Sequence, residues 1–338
     1  MYRLVRPFLF RLDPETAHRL TLQLVRLAGL LPPLRGLLGA AFAAPSRPVK
    51  VLGLHFKNPV GLAAGYDKDG IAVSGLACLG FGHLEIGTVT PLPQAGNPKP
   101  RLFRMVADQA VINRMGFPGR GARDVASYLA GKRPAGLVLG VNLGKNKDTP
   151  LEAAAGDYVG LMRMFMPLAD YLAVNISSPN TFGLRRLQEQ AKLAGLLGAL
   201  AEEQSTHEQA GGRHTPLLVK LAPDLSDEEL AQALDVIGQA GMDGVILTNT
   251  TLARDGLHSP LGTESGGLSG RPLAARSEQM LQQAVRRLDG ALPVISVGGI
   301  LTPQDAKRRL ELGAALVQVY TGLVFSGPGL VKRILEQV

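Results

Sequence analysis

The chain of 338 residues has one cysteine, Cys78, and no tryptophan. A single thiol excludes an internal disulfide and a cysteine-based metal site, and fits a reducing compartment. The six histidines form no close H-x-x-x-H pair, so no metal centre is expected. Aromatic residues make up only 5% of the chain. Nucleic-acid surfaces interleave aromatics with basic side chains, so the net charge of +8 is not read as a nucleic-acid footprint. No run approaches the ~18 apolar residues of a membrane span. The hydrophobic content of 46% allows a sizeable core in one large domain or two ordinary ones.

The charge is unevenly placed. Residues 1–40 hold six arginines (3, 6, 11, 19, 26, 35) against Asp13 and Glu15, which is half of the whole excess. The segment reads as two short helices. Asp13 is placed to cap the second, with Pro14 at its first position and Glu15 in its first turn. Leu20, Leu24, Leu27 and Ala28 share a face, and Gly29 with Pro32-Pro33 ends it. Asp13, Glu15, His18 and Arg19 interrupt any signal-peptide core. Two readings stand: an amphipathic pair packed on its own domain, slightly favoured by pattern alone, or an interfacial anchor on an anionic membrane surface.

Past an Ala/Pro-rich linker at 40–49, eight short apolar runs recur: Pro59–Gly65, His83–Val89, Leu137–Gly144, Tyr171–Ser177, Leu217–Pro223, Gly244–Thr250, Pro293–Gly299 and Leu316–Gly322. Helix-length segments such as Asp227–Ala240 and Pro303–Leu312 separate several of them. The alternation is that of an α/β protein, a (β/α)8 TIM barrel. A doubly wound sheet would show a glycine-rich dinucleotide turn after its first strand, which Gly61 to Asp67 does not match.

Barrel chemistry sits at the C-terminal ends of strands. Those ends carry amides, hydroxyls and two lysines, with almost no carboxylate or histidine. Glycosidase chemistry needs two opposed carboxylates, and metal-assisted hydrolysis needs ligands. Neither set can be placed, and the Asp67 to Gly70 stretch lacks the later ligands of a calcium loop. Asn175 stands where a core strand would place an aliphatic residue, and a buried amide must be hydrogen-bonded. With Ser178 and Asn180 it either caps a turn or faces a polar ligand. Glycine turns after the last two runs suit a phosphate, although one Gly-Gly alone is equally a tight turn. Lys220 suits either a Schiff-base lysine or a cation beside a flavin's pyrimidine edge. The whole set fits a flat, hydrogen-bonding ligand with an anionic tail.

Ten motifs, in order, carry a resemblance. They are Gly65-Tyr-Asp-Lys-Asp-Gly70, Glu85-Ile-Gly-Thr-Val-Thr90, Pro100-Arg-Leu-Phe-Arg104, Ile112-Asn-Arg-Met-Gly-Phe117, Asn142 to Asp148, Asn175-Ile-Ser-Ser-Pro-Asn180, Lys220-Leu-Ala-Pro-Asp224, Thr248-Asn-Thr-Thr251, Gly266 to Pro272 and Tyr320-Thr-Gly322. Together they resemble the quinone-dependent (class 2) dihydroorotate dehydrogenases, and the N-terminal extension also looks like that class. The resemblance implies an FMN-containing barrel over 50–338 that oxidises dihydroorotate to orotate in pyrimidine biosynthesis. Residues 1–40 would give access to a membrane quinone. It implies FMN contacts from Ala64, Gly65, Tyr66, Asp67, Lys68, Thr88, Asn142, Asn175, Lys220, Thr248, Gly270, Gly299, Tyr320 and Thr321, with Gly322. Substrate contacts would come from Lys68, Asn113, Arg114, Met115, Gly116, Phe117, Asn175, Asn180, Asn249 and Thr250.

By the same resemblance Ser178 is the catalytic base, taking a proton from substrate C5 while hydride leaves C6 for flavin N5. Water or a neighbour such as Thr181 would relay the proton. Class 1 relatives place cysteine there; Cys78 lies instead in a helical stretch and reads as a buried core thiol. Without further cysteines an iron–sulfur partner form is not expected. Tyr66 departs from the leucine expected at its place. No long apolar channel is evident in the barrel, so Arg104 and Tyr320 are expected to receive the quinone head beside the N-terminal helices. The expected setting is a monomer bound peripherally to the cytoplasmic face of the cell membrane. Two segments are candidates to cover the site: Ala253–Gly270, and the loop after Ser178 between Pro179 and Gly183.

Overall fold

The computed structural model describes residues 2–131 and 133–338. Three helices come first: α1 (Tyr2–Arg11), α2 (Pro14–Leu30) and α3 (Pro32–Ala41). Asp13 caps α2 as expected, its carboxylate accepting from Thr16 N at 2.9 Å. The expected two-helix extension gains a third member because Pro32-Pro33 does not only end α2. Proline is equally suited to the first turn of a helix, and α3 begins there. A fourth helix, α4 (Val73–Ala77), packs under α2. The crossing is close because it is made by glycines: a Cβ on Gly29 would sit 2.3 Å from Gly75 N.

The strands are β1 (Val49–Val51), β2 (Leu54–Phe56), β3 (Val60–Leu62), β4 (His83–Val89), β5 (Leu102–Met105), β6 (Ala110–Asn113), β7 (Val138–Leu143), β8 (Tyr171–Asn175), β9 (Leu217–Leu221), β10 (Gly244–Leu247), β11 (Gly267–Gly270), β12 (Val294–Val297) and β13 (Leu316–Val319). Eight of them, β3, β4, β7, β8, β9, β10, β12 and β13, close a parallel barrel. These are the eight apolar runs of the sequence. Two small sheets were not anticipated. The β1–β2 hairpin turns at Leu52 and Gly53, both at positive φ, the geometry of a tight two-residue hairpin. Its Phe56 packs with Val138, Tyr171, Leu218, Ile295 and Leu316, so it plugs the barrel's N-terminal mouth. The antiparallel β5–β6–β11 sheet pairs Gly267 with Asn113 and Gly270 with Ala110, and both Asn113 and Gly270 line the cavity at the other mouth.

Strand alternation divides the core. On β9, Leu217, Val219 and Leu221 join the layer between barrel and helices, while Leu218 packs inside. The inward row of β4 is His83, Glu85 and Gly87. The interior therefore grades from apolar at the plugged mouth to polar near the strand ends. Glycines make room for the large rings: a Cβ on Gly61 would lie 2.0 Å from His83 Nε2, and one on Gly140 would lie 2.1 Å from Tyr171 Cζ.

The extension is the exception to apolar-inside packing. Of the large apolar side chains exposed among the described residues, Leu4, Val5, Phe8, Leu12, Leu20, Leu24, Leu27, Leu30, Leu31, Leu34 and Leu37 all belong to α1–α3 and their joins. The Leu20–Leu24–Leu27 stripe thus faces outward, and α2 is held by Ala17, Leu22 and Gly29. No single helix among the described residues is long and apolar enough to cross a membrane. Helices α2 and α3 reach that composition together but are bent by 111°.

Candidate active site

The C-terminal strand ends surround a cavity of about 160 Å³. Its wall gathers Ala64, Gly65, Lys68, Thr88, Asn113, Met115, Gly116, Phe117, Asn175, Ser178, Asn180, Lys220, Thr248, Asn249, Thr250, Gly270, Gly299, Tyr320, Thr321 and Gly322. Four residues expected there do not line it. Asp67 turns into its own loop, its carboxylate accepting from Ile71 N at 3.0 Å and Ala72 N at 2.7 Å. Arg114 points outward, pairing with Glu264 at 2.6 Å and lying over the Phe103 ring. Tyr66 faces the N-terminal helices, edge-on to His18. Asn142 stands one layer behind the wall.

Strand β8 ends on Asn175 because its amide has a complete set of partners inside the barrel. Its Nδ2 donates to Thr88 Oγ1 at 2.9 Å and to Asn142 Oδ1 at 3.0 Å. Its Oδ1 accepts from Asn249 Nδ2 at 3.2 Å and from Ser177 Oγ at 3.1 Å. Across the cavity Asn180 Nδ2 donates to Asn113 Oδ1 at 3.1 Å. These amides are held by one another, which fixes the directions of the donors and acceptors left for a ligand.

Lys68 Nζ donates to Gly65 O at 2.7 Å. Burial pulls its pKa down to about 8, with the Asp69 and Glu15 carboxylates opposing and Arg101 adding to the fall. Ser178 is buried at the cavity wall, and its Oγ accepts from Asn180 N at 3.3 Å. The root of this loop is clamped by Arg185, which donates to Ser177 O at 3.0 Å and Thr250 O at 2.8 Å and pairs with Asp224 at 2.7 Å. Its tip is not clamped: Phe182 is 96% exposed. The other covering candidate, 253–270, is pinned. Arg254 donates to Glu264 O and Gly266 O, Asp108 accepts from His258 N and Ser259 N, and the segment ends in β11.

At the opposite end, the Gly298–Gly299 turn and Thr321 meet Gly270. A Cβ on Gly299 would lie 2.2 Å from Ala274 Cα, and the residue has φ +74°. Buried Arg309 braces the turn from behind, donating to Ala274 O at 2.7 Å, to Ser277 Oγ at 2.8 Å and to Gly298 O at 3.3 Å.

Below the wall lies a charged group that the sequence reading did not assign. The Glu85 carboxylate accepts from Asn142 Nδ2 at 2.8 Å and Lys220 Nζ at 3.2 Å on one oxygen. The other accepts from Gln318 Nε2 at 2.8 Å and Tyr171 OH at 3.3 Å. Burial pushes this carboxyl up, but Lys220 and the Gln318 and Asn142 donors outweigh it and hold it below the usual range. The available signal was the one used for Asn175, a polar residue inside an apolar run. Arg185, Arg309, Ser269, Glu15 and His18 were also missed, and nothing in local sequence pattern would have found them.

A second, larger cavity of about 270 Å³ lies between α1, α2 and the barrel. The apolar space that the barrel itself was not expected to offer lies between the extension and the barrel, lined from both sides. Its wall is mostly apolar, with Tyr2, Thr21, Tyr66, Arg104 and Tyr320 as polar groups, and it shares His18, Leu102, Val111 and Tyr320 with the first cavity. Arg104 donates to Phe10 O and Leu12 O, both at 2.9 Å, and sits over the Phe10 ring. Burial lowers the His18 pKa to about 4, helped by Lys68, so His18 is neutral. Cys78 is far from this chemistry. It is a half-buried thiol at the end of α4, donating to Ser74 O at 3.3 Å, and not the core thiol expected.

Residues 47–338 match the dihydroorotate dehydrogenase family. A dihydroorotate dehydrogenase (quinone) of Roseiflexus sp. (strain RS-1) is 50% identical over 99% of this chain and 92% of its own length. One from Thiobacillus denitrificans is 49% identical over all of this chain and 99% of its own. Among solved structures, that of Eimeria tenella DHODH in complex with ferulenol matches with a TM-score of 0.87 at 38% identity, over 96% of this chain and 90% of that one.

Proposed function

The chain belongs to the dihydroorotate dehydrogenase family, and from that premise we propose that it oxidises dihydroorotate to orotate with FMN and passes the electrons to a membrane quinone, in pyrimidine biosynthesis. The observation that carries this reading is two cavities sharing one wall: an amide-rich pocket on the strand ends, and an apolar one under the N-terminal helices.

FMN fits the residues present. One end of the pocket is lined by Gly270, Gly299 and Gly322 with Ser269 and Thr321, whose backbone N–H groups and hydroxyls suit a phosphate. Lys220, Thr88 and Thr248 lie along its length. In front of Gly65 the space is open, since an added Cβ would meet only Tyr320, at 3.4 Å. When bound there, FMN supplies a two-electron acceptor that releases electrons to quinone.

The chain's own residues do the rest. Lys68 neutralises the substrate carboxylate, and the Asn113, Asn180 and Asn249 amides match the imide edge of a planar ring, with Asn175 holding Asn249 in direction. Ser178 takes the proton from substrate C5 while passing its own hydroxyl proton on to water or Thr181, and is oriented by the Asn180 N–H; the clamp of Arg185 keeps its loop root in place, and the Phe182 tip closes to exclude water. Residues 1–40 form the membrane and quinone-access segment, and 50–338 the FMN barrel. Arg104 and Tyr320 offer polar contacts for a quinone head, while the outward leucines and the arginines of α1–α3 rest on an anionic cytoplasmic membrane face. The protein acts as a monomer.

Absorbance of the purified protein tests the reading. A flavin spectrum bleached by dihydroorotate under anaerobic conditions and restored by quinone is expected. A colourless protein that binds no added FMN would overturn it.

A further inference from the structure

Glu85 touches neither cavity, yet donors from four other strands converge on it. It is 1% exposed, and its partner Lys220 is 5% exposed. Lys220 belongs to the cavity wall, and its hydrogen bond to Glu85 leaves the other ammonium hydrogens for whatever occupies the pocket. The titratable groups facing Glu85 are Lys220, Tyr171 and His83. Burial drives Tyr171 far up and holds His83 near about 4, so both stay neutral. The buried layer therefore holds one cation and one anion, 3.2 Å apart. An isolated buried lysine tends to lose its proton, so a lysine here needs a fixed counter-charge to remain a cation.

We propose that Glu85 is a positioning residue for the cofactor's electron chemistry: it keeps Lys220 charged and aimed at the pocket, and it offsets that charge. The pair, and not the lysine alone, then sets how readily bound flavin is reduced. This rests on the FMN reading above. Reduction makes a flavin more electron-rich, so an unopposed cation beside it favours the reduced form. A neutral pair gives a weaker bias that does not change over the working pH range. That range matters to an enzyme that must both take electrons from one substrate and release them to another.

The experiment is a double-mutant cycle read on the flavin itself. The two-electron reduction equilibrium of bound FMN is measured against a reference dye from pH 6 to 9 in the native protein, E85Q, K220M and E85Q/K220M. E85Q is well suited to folding, because Gln318 Oε1 has no partner and turning that amide supplies an acceptor for the new N–H. At pH 6, E85Q is expected to favour reduced flavin about tenfold over native, which is about 30 mV for a two-electron couple. With Lys220 already replaced, adding E85Q should move the equilibrium less than about twofold.

An equal shift in both lysine and methionine backgrounds, or no shift in either, overturns the proposal. If E85Q does not fold, folding restored by adding K220M supports it, since a neutralised pair is tolerated where a lone buried charge is not. Failure of both variants to fold makes Glu85 a packing residue and overturns it. Native protein without flavin would instead sink the FMN reading, so the two failures are separable.

Discussion

Orotate binding should weaken as pH rises from 7 to 9, and Lys68 should be the cause. Burial brings its pKa from 10.5 down to about 8. The sign follows from which form binds an anion: the ammonium is present below about 8 and lost above it. At pH 7 roughly nine-tenths of the protein carries the charge, and at pH 9 roughly one-tenth. If only the charged form pairs with the ligand carboxylate, the apparent Kd rises about tenfold across that interval, because above the pKa binding must take up a proton. The measurement is a titration of the oxidised flavoprotein with orotate at several pH values, followed by the flavin absorbance. The native curve should be flat below about pH 7.5 and then climb toward tenfold per unit. Lys68→Met should bind more weakly and show no slope from this group. A native Kd that is level through pH 9 refutes the argument, and so does a slope that survives in Lys68→Met.

Other outcomes are as specific. Ser178→Ala should keep FMN and orotate affinity while slowing anaerobic flavin reduction by about 10²–10⁴-fold, read by stopped-flow absorbance; near-native reduction would remove Ser178 from the proton transfer. Gly299→Ala should lower the flavin-to-protein ratio and the Tm together, because its Cβ would fall 2.2 Å from the backbone of Ala274 at φ +74°; full flavin occupancy would contradict the phosphate turn. Exchanging Leu27, Leu30 and Leu37 for glutamate should abolish co-sedimentation with anionic vesicles and reoxidation by a long-tailed quinone. A soluble dye should still accept electrons, and unchanged vesicle binding would make the stripe irrelevant to the membrane.

The barrel was legible because each of its strands is a continuous apolar run, buried on both faces and closed by a polar or glycine-rich end. The small β5–β6–β11 sheet was not, because its strands are only four residues each and β11 joins it by pairing with a segment far back in the chain: Gly267 with Asn113 and Gly270 with Ala110. Asn175 was legible as an amide out of place in a strand. Glu85 and Gln318 carry the same signal, but they and their partners lie one layer below the strand ends, where barrel chemistry is expected. Asp67 and Arg114 show the converse case. Each sits inside a motif whose neighbours face the cavity, but a side chain's direction is set by the turn it occupies, and these two turn away.

The extension marks where reading one segment at a time fails. Periodicity finds an apolar face on α2, and the usual inference is that this face packs on the protein. Here burial follows another face: Ala17, Leu22 and Gly29 are inside, with Gly29 letting α2 lie close to Gly75 of α4, while the leucines at 20, 24 and 27 remain largely exposed. A hydrophobic stripe left in water over so small a segment is a liability unless something covers it. The channel beneath has the same origin. Leu9, Phe10 and Thr21 on one side and Leu102, Val111 and Leu323 on the other come from three distant parts of the chain. No one of those parts encloses a cavity. Docking of the helices makes the apolar cavity, and the same docking leaves the leucines facing out, so the entry proposed for a lipid-soluble oxidant and the surface proposed for the lipid are consequences of one packing arrangement.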